Sequence, residues 1–149
     1  MGVRATSRRR IPCVGGIVVD DRPDGRRLLL VRRGQEPGKG LWSVPGGRVE
    51  PDESNESATA REVLEETALR VDVGPLVGTV ERDAPGGGVY VIHDHLCTLA
   101  PGADPAAVRA GDDADDAAWF TPDEVRRLDC VPGLVDALES WQILRRPVT

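Results

Sequence analysis

Hydrophobic and polar positions alternate along this chain with two periods. Ile11–Val19 (IPCVGGIVV) is an apolar run of β type, Asp20–Gly25 (DDRPDG) carries turn chemistry, and Arg26–Arg33 (RRLLLVRR) returns as a second strand. The three segments predict a hairpin. Gly34–Gly40 reads as a loop and Leu41–Gly47 as a short extended segment. The period then lengthens. Ser54 is a suitable N-cap, with Glu56 in an acidic first turn, and the helix should run to about Thr67 or Ala68. On a helix advancing about 100° per residue, Glu62, Glu65 and Glu66 share one arc, while Ala60, Val63, Leu64 and Thr67 lie on the other side.

Beyond that helix, Val71–Val73 and Leu76–Arg82 are strand-like, Asp83–Gly88 is a turn, and Val89–Leu99 is a long strand. Ala100–Asp116 reads as a long loop and Ala117–Phe120 as a short strand. Thr121, Pro122 and Glu124 form a capping box, so a helix starts there, and a last helix covers roughly Gly133–Arg145. No repeat or internal boundary interrupts the pattern. The expectation is one α/β (α+β) domain over residues 1–149, a mixed sheet flanked by helices, with residues 1–10 as a flexible basic tail.

Composition narrows the function. Aromatic residues make up only 3% of the chain, so Val, Leu, Ile and Ala must fill the core. A net charge of −6 argues against a general nucleic-acid-binding surface, but allows an anionic substrate if a metal stands between it and the protein. Lys39 is the only lysine among many arginines, which with the Ala, Gly, Asp and Pro content suggests a GC-rich bacterial genome. Cys13, Cys97 and Cys130 are odd in number and lack CxxC spacing, which favours reduced, buried thiols over a zinc site or a disulfide framework. No stretch has the apolar length of a membrane span, and the N-terminus lacks a secretory apolar region. A cytoplasmic protein is expected, with no membrane or nucleic-acid partner; a homodimer stays open.

Pro45–Leu69 crowds Glu50, Asp52, Glu53, Glu56, Glu62, Glu65 and Glu66 together. Like charges three and four residues apart cost a helix a few tenths of a kcal/mol per pair, roughly. A divalent cation would turn that repulsion into attraction. The alternative is a solvated charged face. The flanking residues favour the metal: Gly47, five residues, Glu53, seven residues, then Arg61-Glu62-Val63-x-Glu65-Glu66-x-Ala68-Leu69 resembles the Nudix box. Ala68 is the one departure, standing where that family has Gly. The likeness extends from the first hairpin to Ala118–Val125 and implies a Nudix-type α/β/α sandwich.

The resemblance further implies hydrolysis of a nucleoside diphosphate linked to another group, with Mg²⁺ or Mn²⁺. It makes Glu62 and Glu66 metal ligands, Glu65 a third ligand or the base that activates water, and the Gly46 carbonyl a further ligand. Glu53 and Arg61 would hold the loop and orient the carboxylates; a surface ion pair with Glu65 is the plainer role for Arg61. GKGLWSVPGGRVE, YVIHDHLC and AGDDADDAAWF are similar to the small bacterial ADP-ribose pyrophosphatase-like group, which points to ADP-ribose or a nucleotide sugar. A nucleoside triphosphate pyrophosphohydrolase that cleans the nucleotide pool is the alternative within the family, and a non-catalytic nucleotide sensor the alternative outside enzymes.

Other candidates are open to two readings each. Asp94, in mid-strand, is a metal or substrate contact or a satisfied structural acid. Asp112, Asp113, Asp115 and Asp116 either fold over the metal, with Asp113 reaching substrate, or form a solvated acidic loop. His93 and His95 share a strand face but lack a third soft ligand. Trp42 and Trp119 stack on a nucleobase or fill the core. Arg32, Arg33 and Lys39 meet phosphates or are ordinary surface charges.

Overall fold

A computed structural model describes residues 8–145. The predicted hairpin is β1 (Arg10–Arg22) and β2 (Gly25–Arg33), paired antiparallel from Val19↔Leu28 to Arg22↔Gly25. The turn is tighter than the sequence suggests. Asp21 faces Arg26 across the strands and accepts from its Nε at 2.7 Å, so polar residues expected in the turn extend the ladder instead.

The chain continues through β3 (Trp42–Ser43), β4 (Gly46–Arg48), α1 (Asn55–Thr67), β5 (Val71–Asp83) and β6 (Val89–Leu99). A 3₁₀ turn at Pro105–Ala107 precedes β7 (Ala114–Phe120), α2 (Pro122–Arg127) and α3 (Leu134–Ser140). The sheet runs β3-β2-β1-β6-β5, with β4 also on β1 and β7 also on β2. β1 and β6 are parallel; the other named pairs are antiparallel.

Strand period explains the layers. Ile17, Val19, Leu28 and Leu30 pack with Val125, Leu134 and Leu138 on the side of α2 and α3. Val18 and Leu29 point the other way, to Val63 of α1, with Leu69 and Cys97. β1 and β2 are thus covered on both faces, which is why they read as unbroken apolar runs. The result is the expected α/β/α sandwich around a mixed sheet. No helix among the described residues is long and apolar enough to cross a membrane.

Four expectations change. β5 is one strand with register shifts around Gly74 and Pro75, where two strand-like pieces were read. β7 begins at Ala114, so Asp115 and Asp116 belong to a strand, with Asp116 opposite Arg32. The last helix ends at Ser140, and Trp141 to Arg145 form turns. The basic tail is shorter: Arg10 opens β1 and contacts Glu81 at 3.0 Å, while Arg8 contacts Asp83 at 2.6 Å. Residues 1–7 lie outside the described residues.

The ends of α1 matter most for function. Ser54 Oγ accepts from the Ser57 amide at 3.0 Å, as the cap signal predicts. Ala68 ends the helix in the left-handed region, at φ 65°, with its N–H on the Leu64 carbonyl at 2.9 Å. A β-carbon is disfavoured there, and Ala68 is exposed, so removing its methyl leaves no cavity. Ala68→Gly should therefore raise the unfolding free energy by about 1 kcal/mol. Urea titration would show this as a higher midpoint with unchanged slope; an unmoved or lower midpoint would contradict it.

Candidate active site

The carboxylates of α1 reach the sheet because glycines let them. β4 lies on β1 with Gly46 opposite Gly15 and Gly47 opposite Val14. A β-carbon on Gly47 would stand 2.6 Å from the Glu62 carboxyl group. No side chain larger than hydrogen fits between β4 and the helix without displacing Glu62.

Arg61 organises the cluster. Its Nε and Nη2 donate to the two oxygens of Glu53 at 2.8 and 2.9 Å, a bidentate pair. Nη1 donates to Glu62 at 2.8 Å and, more weakly, to Glu65 at 3.3 Å. Nη2 also donates to the Arg48 carbonyl at 3.1 Å, and so ties α1 to β4. Glu53 further accepts from the Glu50 amide at 3.0 Å. Arg61 first, and that amide second, hold the Glu53 carboxyl down at about 2. The expected pair of Arg61 with Glu65 exists, but within a much larger hub that also reaches Glu50 at 3.8 Å.

Glu62 and Glu66 have the opposite problem. Burial raises the pKa of Glu62, and Arg61 offsets this only in part. Burial pushes Glu66 up to about 8, countered by a hydrogen bond from the Gly46 amide at 2.9 Å and worsened by the nearby Glu62 charge. Gly46 thus meets Glu66 through its N–H, a contact that does not involve the carbonyl suggested from the sequence as a ligand. Glu65 is 58% exposed.

These donors suit a hard divalent cation in kind: all are carboxylate oxygens, they repel one another, and Glu66 has no cation in bonding distance among the described residues. Among the described residues no three His, Cys, Asp or Glu side chains already converge as a ligand set. Arg61 draws Glu62 and Glu65 to itself, while Glu66 turns to Gly46.

A cleft of about 770 Å³ begins at this cluster. Glu66, Arg33 and Asp113 line it, as do Tyr90, Arg82 and Trp141. Asp94 lies in its floor, 5% exposed, with Oδ1 lacking any hydrogen-bond partner among the described residues. Burial pushes its carboxyl up to about 7, with Arg82 opposing. A second cavity of about 770 Å³, beside the β1–β2 turn, is lined by Asp21, Arg26 and Arg126, whose charges are already paired, and lies apart from the carboxylate cluster.

Of the residues expected to meet substrate, Arg33, Asp94 and Asp113 line the cleft. Arg32, Lys39 and Trp42 do not. Strand alternation sends Arg32 to the face opposite Arg33, where its guanidinium sits 6.0 Å from the Trp42 ring centroid. Trp42 packs edge-on against Phe120 at 4.9 Å, a core contact. Trp119 donates from Nε1 to the Pro105 carbonyl at 2.8 Å, also a structural contact. His95 Nδ1 lies 3.1 Å from the Gly74 carbonyl, filling the irregularity in β5. Asp116 accepts from its neighbour Ala117 at 2.8 Å.

Trp141, Arg82 and Tyr90 escaped the sequence reading. One signal was available: Gly78 interrupts a strand-like segment, which marks a close approach. The Trp141 ring lies where a β-carbon on Gly78 would be.

Comparison with known proteins gives concordant results. The NUDIX domain model matches residues 9–140. A MutT-like protein of Streptomyces ambofaciens is 39% identical over 112 residues, 75% of this chain and 64% of that protein. CTP pyrophosphohydrolase of Escherichia coli (strain K12) is 32% identical over 122 residues, 82% of this chain and 86% of that one. ADP-ribose pyrophosphatase of Methanocaldococcus jannaschii is 36% identical over 118 residues, 77% and 64% of the two chains. The chain thus spans just under two thirds of the length of two of these relatives. The crystal structure of MutT protein from Methanosarcina mazei Go1 shares the fold, with TM-score 0.76 and 23% identity over 93% of this chain and 97% of that one.

Two outcomes follow from the site's electrostatics. Millimolar Mg²⁺ or Mn²⁺ should raise the melting temperature and EDTA should reverse it, since a ligand at 100 times its dissociation constant adds about 2.7 kcal/mol. A melting curve indifferent to both cations would count against a metal site. For Asp94, the folded value of about 7 lies above the ordinary value of 3.8, so the folded state holds this proton more tightly than the unfolded chain. Its destabilising charge is absent below the unfolded value, grows as pH rises toward 7, and is complete above it. Asp94→Asn should accordingly melt higher than the parent at pH 8, with the gap narrowing steadily toward pH 5. A gap that widened on acidification would reverse the assignment.

Proposed function

The chain belongs to the Nudix hydrolase family, and on that footing we propose that it cleaves the diphosphate linkage of a nucleoside diphosphate derivative, with Mg²⁺ or Mn²⁺ as cofactor. One observation carries this reading: Glu66 belongs both to the Arg61-centred carboxylate cluster and to the wall of a nucleotide-sized cleft. A diphosphate lying in that cleft meets the carboxylates at its end.

Glu62 and Glu66 would hold the cation, and Glu65 is the third candidate ligand. When bound, the cation neutralises the diphosphate, polarises its phosphorus–oxygen bonds and acidifies bound water. The remaining work falls to the chain itself. Glu65, open to solvent and weakly held by Arg61, is placed to take the proton of the attacking water on a carboxylate oxygen. Arg61 and Glu53 fix the orientation of Glu62. Arg33 and Arg82 line the cleft without a carboxylate in salt-bridge distance among the described residues, and so are available to an anionic substrate.

ADP-ribose or a nucleotide sugar is the first substrate reading, supported by the relative that is an ADP-ribose pyrophosphatase. A nucleoside triphosphate is the second, favoured by the match over 86% of the length of a CTP pyrophosphohydrolase. A sensor without catalysis is disfavoured, because Glu53, Glu62, Glu65 and Glu66 are all in place. The partner is a small nucleotide, and the cytoplasmic assignment accords with three free cysteines.

A substrate panel with Mg²⁺ or Mn²⁺, assayed for phosphate with and without added phosphatase, separates the readings. Turnover of ADP-ribose or sugar nucleotides supports the first and release of pyrophosphate from triphosphates the second; tight binding without hydrolysis of any of them supports a sensor. Glu66→Gln should lower turnover by orders of magnitude while the metal-free protein melts at the same temperature or higher, because a repelling buried charge is gone. Exposed Glu56→Gln is the control, and should stay within a factor of about two of the parent. Equal losses in both variants would remove the metal-ligand assignment.

A further inference from the structure

The cleft floor is one face of three strands, and strand register gives its layout. Gly15 of β1, Asp94 of β6 and Gly78 of β5 form one row across the sheet. Cys13, Ile92 and Val80 form the next, and Ile11, Tyr90 and Arg82 the one after. Residues opposite one another across strands point to the same face. Asp94 is therefore the only side chain in its row, with a glycine on each side.

Both glycines are spaces that something fills. A β-carbon on Gly15 would collide with Asp94 Oδ1, and one on Gly78 with the Trp141 indole. The acid thus lies low in a trough, with a flat aromatic ring over the neighbouring strand. Among the described residues Oδ1 has no hydrogen-bond partner, in a side chain 5% exposed. A buried carboxylate left in that condition is costly, and fold stability alone gives no reason to keep it. An N–H donor brought by a ligand would remove the cost. The chemistry of the trough is that of an aromatic heterocycle carrying such a donor: the Trp141 ring offers a stacking face, and Asp94 beside it, when ionised, offers an acceptor only.

Resting on the nucleotide-hydrolase reading above, we propose that Asp94 is the base-selecting residue of this protein, accepting a hydrogen bond from the exocyclic amine of a nucleobase stacked on Trp141. The amine distinguishes this from general base stacking. A keto oxygen at the same position would face the acid with a second acceptor, and both would be desolvated without a partner. Arg82, four residues beyond Gly78 on the same strand face, adds a cation to the lining of the cleft.

Equilibrium binding of nucleoside monophosphates in EDTA at pH 8, where Asp94 is mostly ionised, tests this without hydrolysis. The matched probes differ in one group, amine against keto: CMP with UMP, and AMP with IMP. Quenching of tryptophan fluorescence reports binding, and its loss in Trp141→Phe assigns the signal. The parent should bind the amino member of at least one pair about tenfold or more tighter than its keto partner. Asp94→Asn, whose amide can either donate or accept, should bring that ratio to within about threefold of unity or invert it. Retained binding of the keto member by Asp94→Asn shows that the variant is folded. Ratios near unity for both pairs in the parent, or a ratio unchanged in Asp94→Asn, would overturn the proposal. Since no cation and no bond cleavage enter, base selection can fail while the enzyme still hydrolyses its substrate, and can hold even if Glu66→Gln proves fully active.

Discussion

Everything around the candidate site depends on how Arg61 is occupied. Four carboxylates and a carbonyl compete for one guanidinium, and the outcome sets the geometry. Glu53 takes the bidentate position, Glu62 takes one nitrogen, Glu65 receives a longer contact, and Glu50 stays at 3.8 Å. Repulsion between like charges on a helix costs a few tenths of a kcal/mol per pair, whereas a hydrogen bond to a charged group contributes about 1.5–3 kcal/mol. The Arg61–Glu62 contact therefore outweighs the crowding of the acids, and the cluster can persist before any cation arrives. The same guanidinium holds the Arg48 carbonyl, so the helix, the preceding loop and β4 move as one body.

The cleft meets this cluster for a reason found in β1. Its Cys13–Gly15 end pairs with β4, and its Val19–Arg22 end pairs with β2. One edge of the central strand thus changes partner midway. β2 leaves β1 at that point and carries Val31, Arg33 and Gly34 along the cleft wall, while β4 brings Gly46 and Gly47 against α1. Glycines at the crossing keep the backbones close enough for Glu62 and Glu66 to reach it. Opening of the sheet and convergence of the acids are two consequences of one change in pairing.

Local patterns in the sequence were a good guide to elements, and a partial guide to the site. The capping box at Thr121, the Ser54 cap, the doubly buried β1–β2 hairpin and the full span of β6 all follow from nearest-neighbour chemistry. The box carboxylates follow from spacing along one helix. What stayed hidden depends on register between distant strands. Whether Arg32 or Arg33 faced the cleft was a matter of strand phase, as was the choice between stacking and core packing for Trp42, and Trp141 gave no signal of its own. Trp42 is held by Phe120 and by backbone pairing with Asp129 and Val131, while Trp141 comes to the cleft only because Gly78 leaves room. The Gly46 amide bond to Glu66 was hidden for a similar reason: which backbone group meets Glu66 is set by the phase of β4 on β1.

The long loop after β6 has a structural task that bears on the acids. The Arg109 amide donates to the Thr67 carbonyl at 2.9 Å, and the Gly111 amide to the Glu66 carbonyl at 3.0 Å. Carbonyls in the last turn of a helix have no partner within it, and this loop supplies two. Gly111 lies against the Glu65 carbonyl, with no space for a β-carbon. Glu66 is consequently fixed at its backbone by one loop and at its carboxylate by the Gly46 amide. With α1 capped at both ends and its middle held by Arg61, cation capture need not move the helix. Rotation of the Glu62, Glu65 and Glu66 side chains is the freedom left, and the energy to be overcome is that of the Arg61 and Gly46 hydrogen bonds they would exchange.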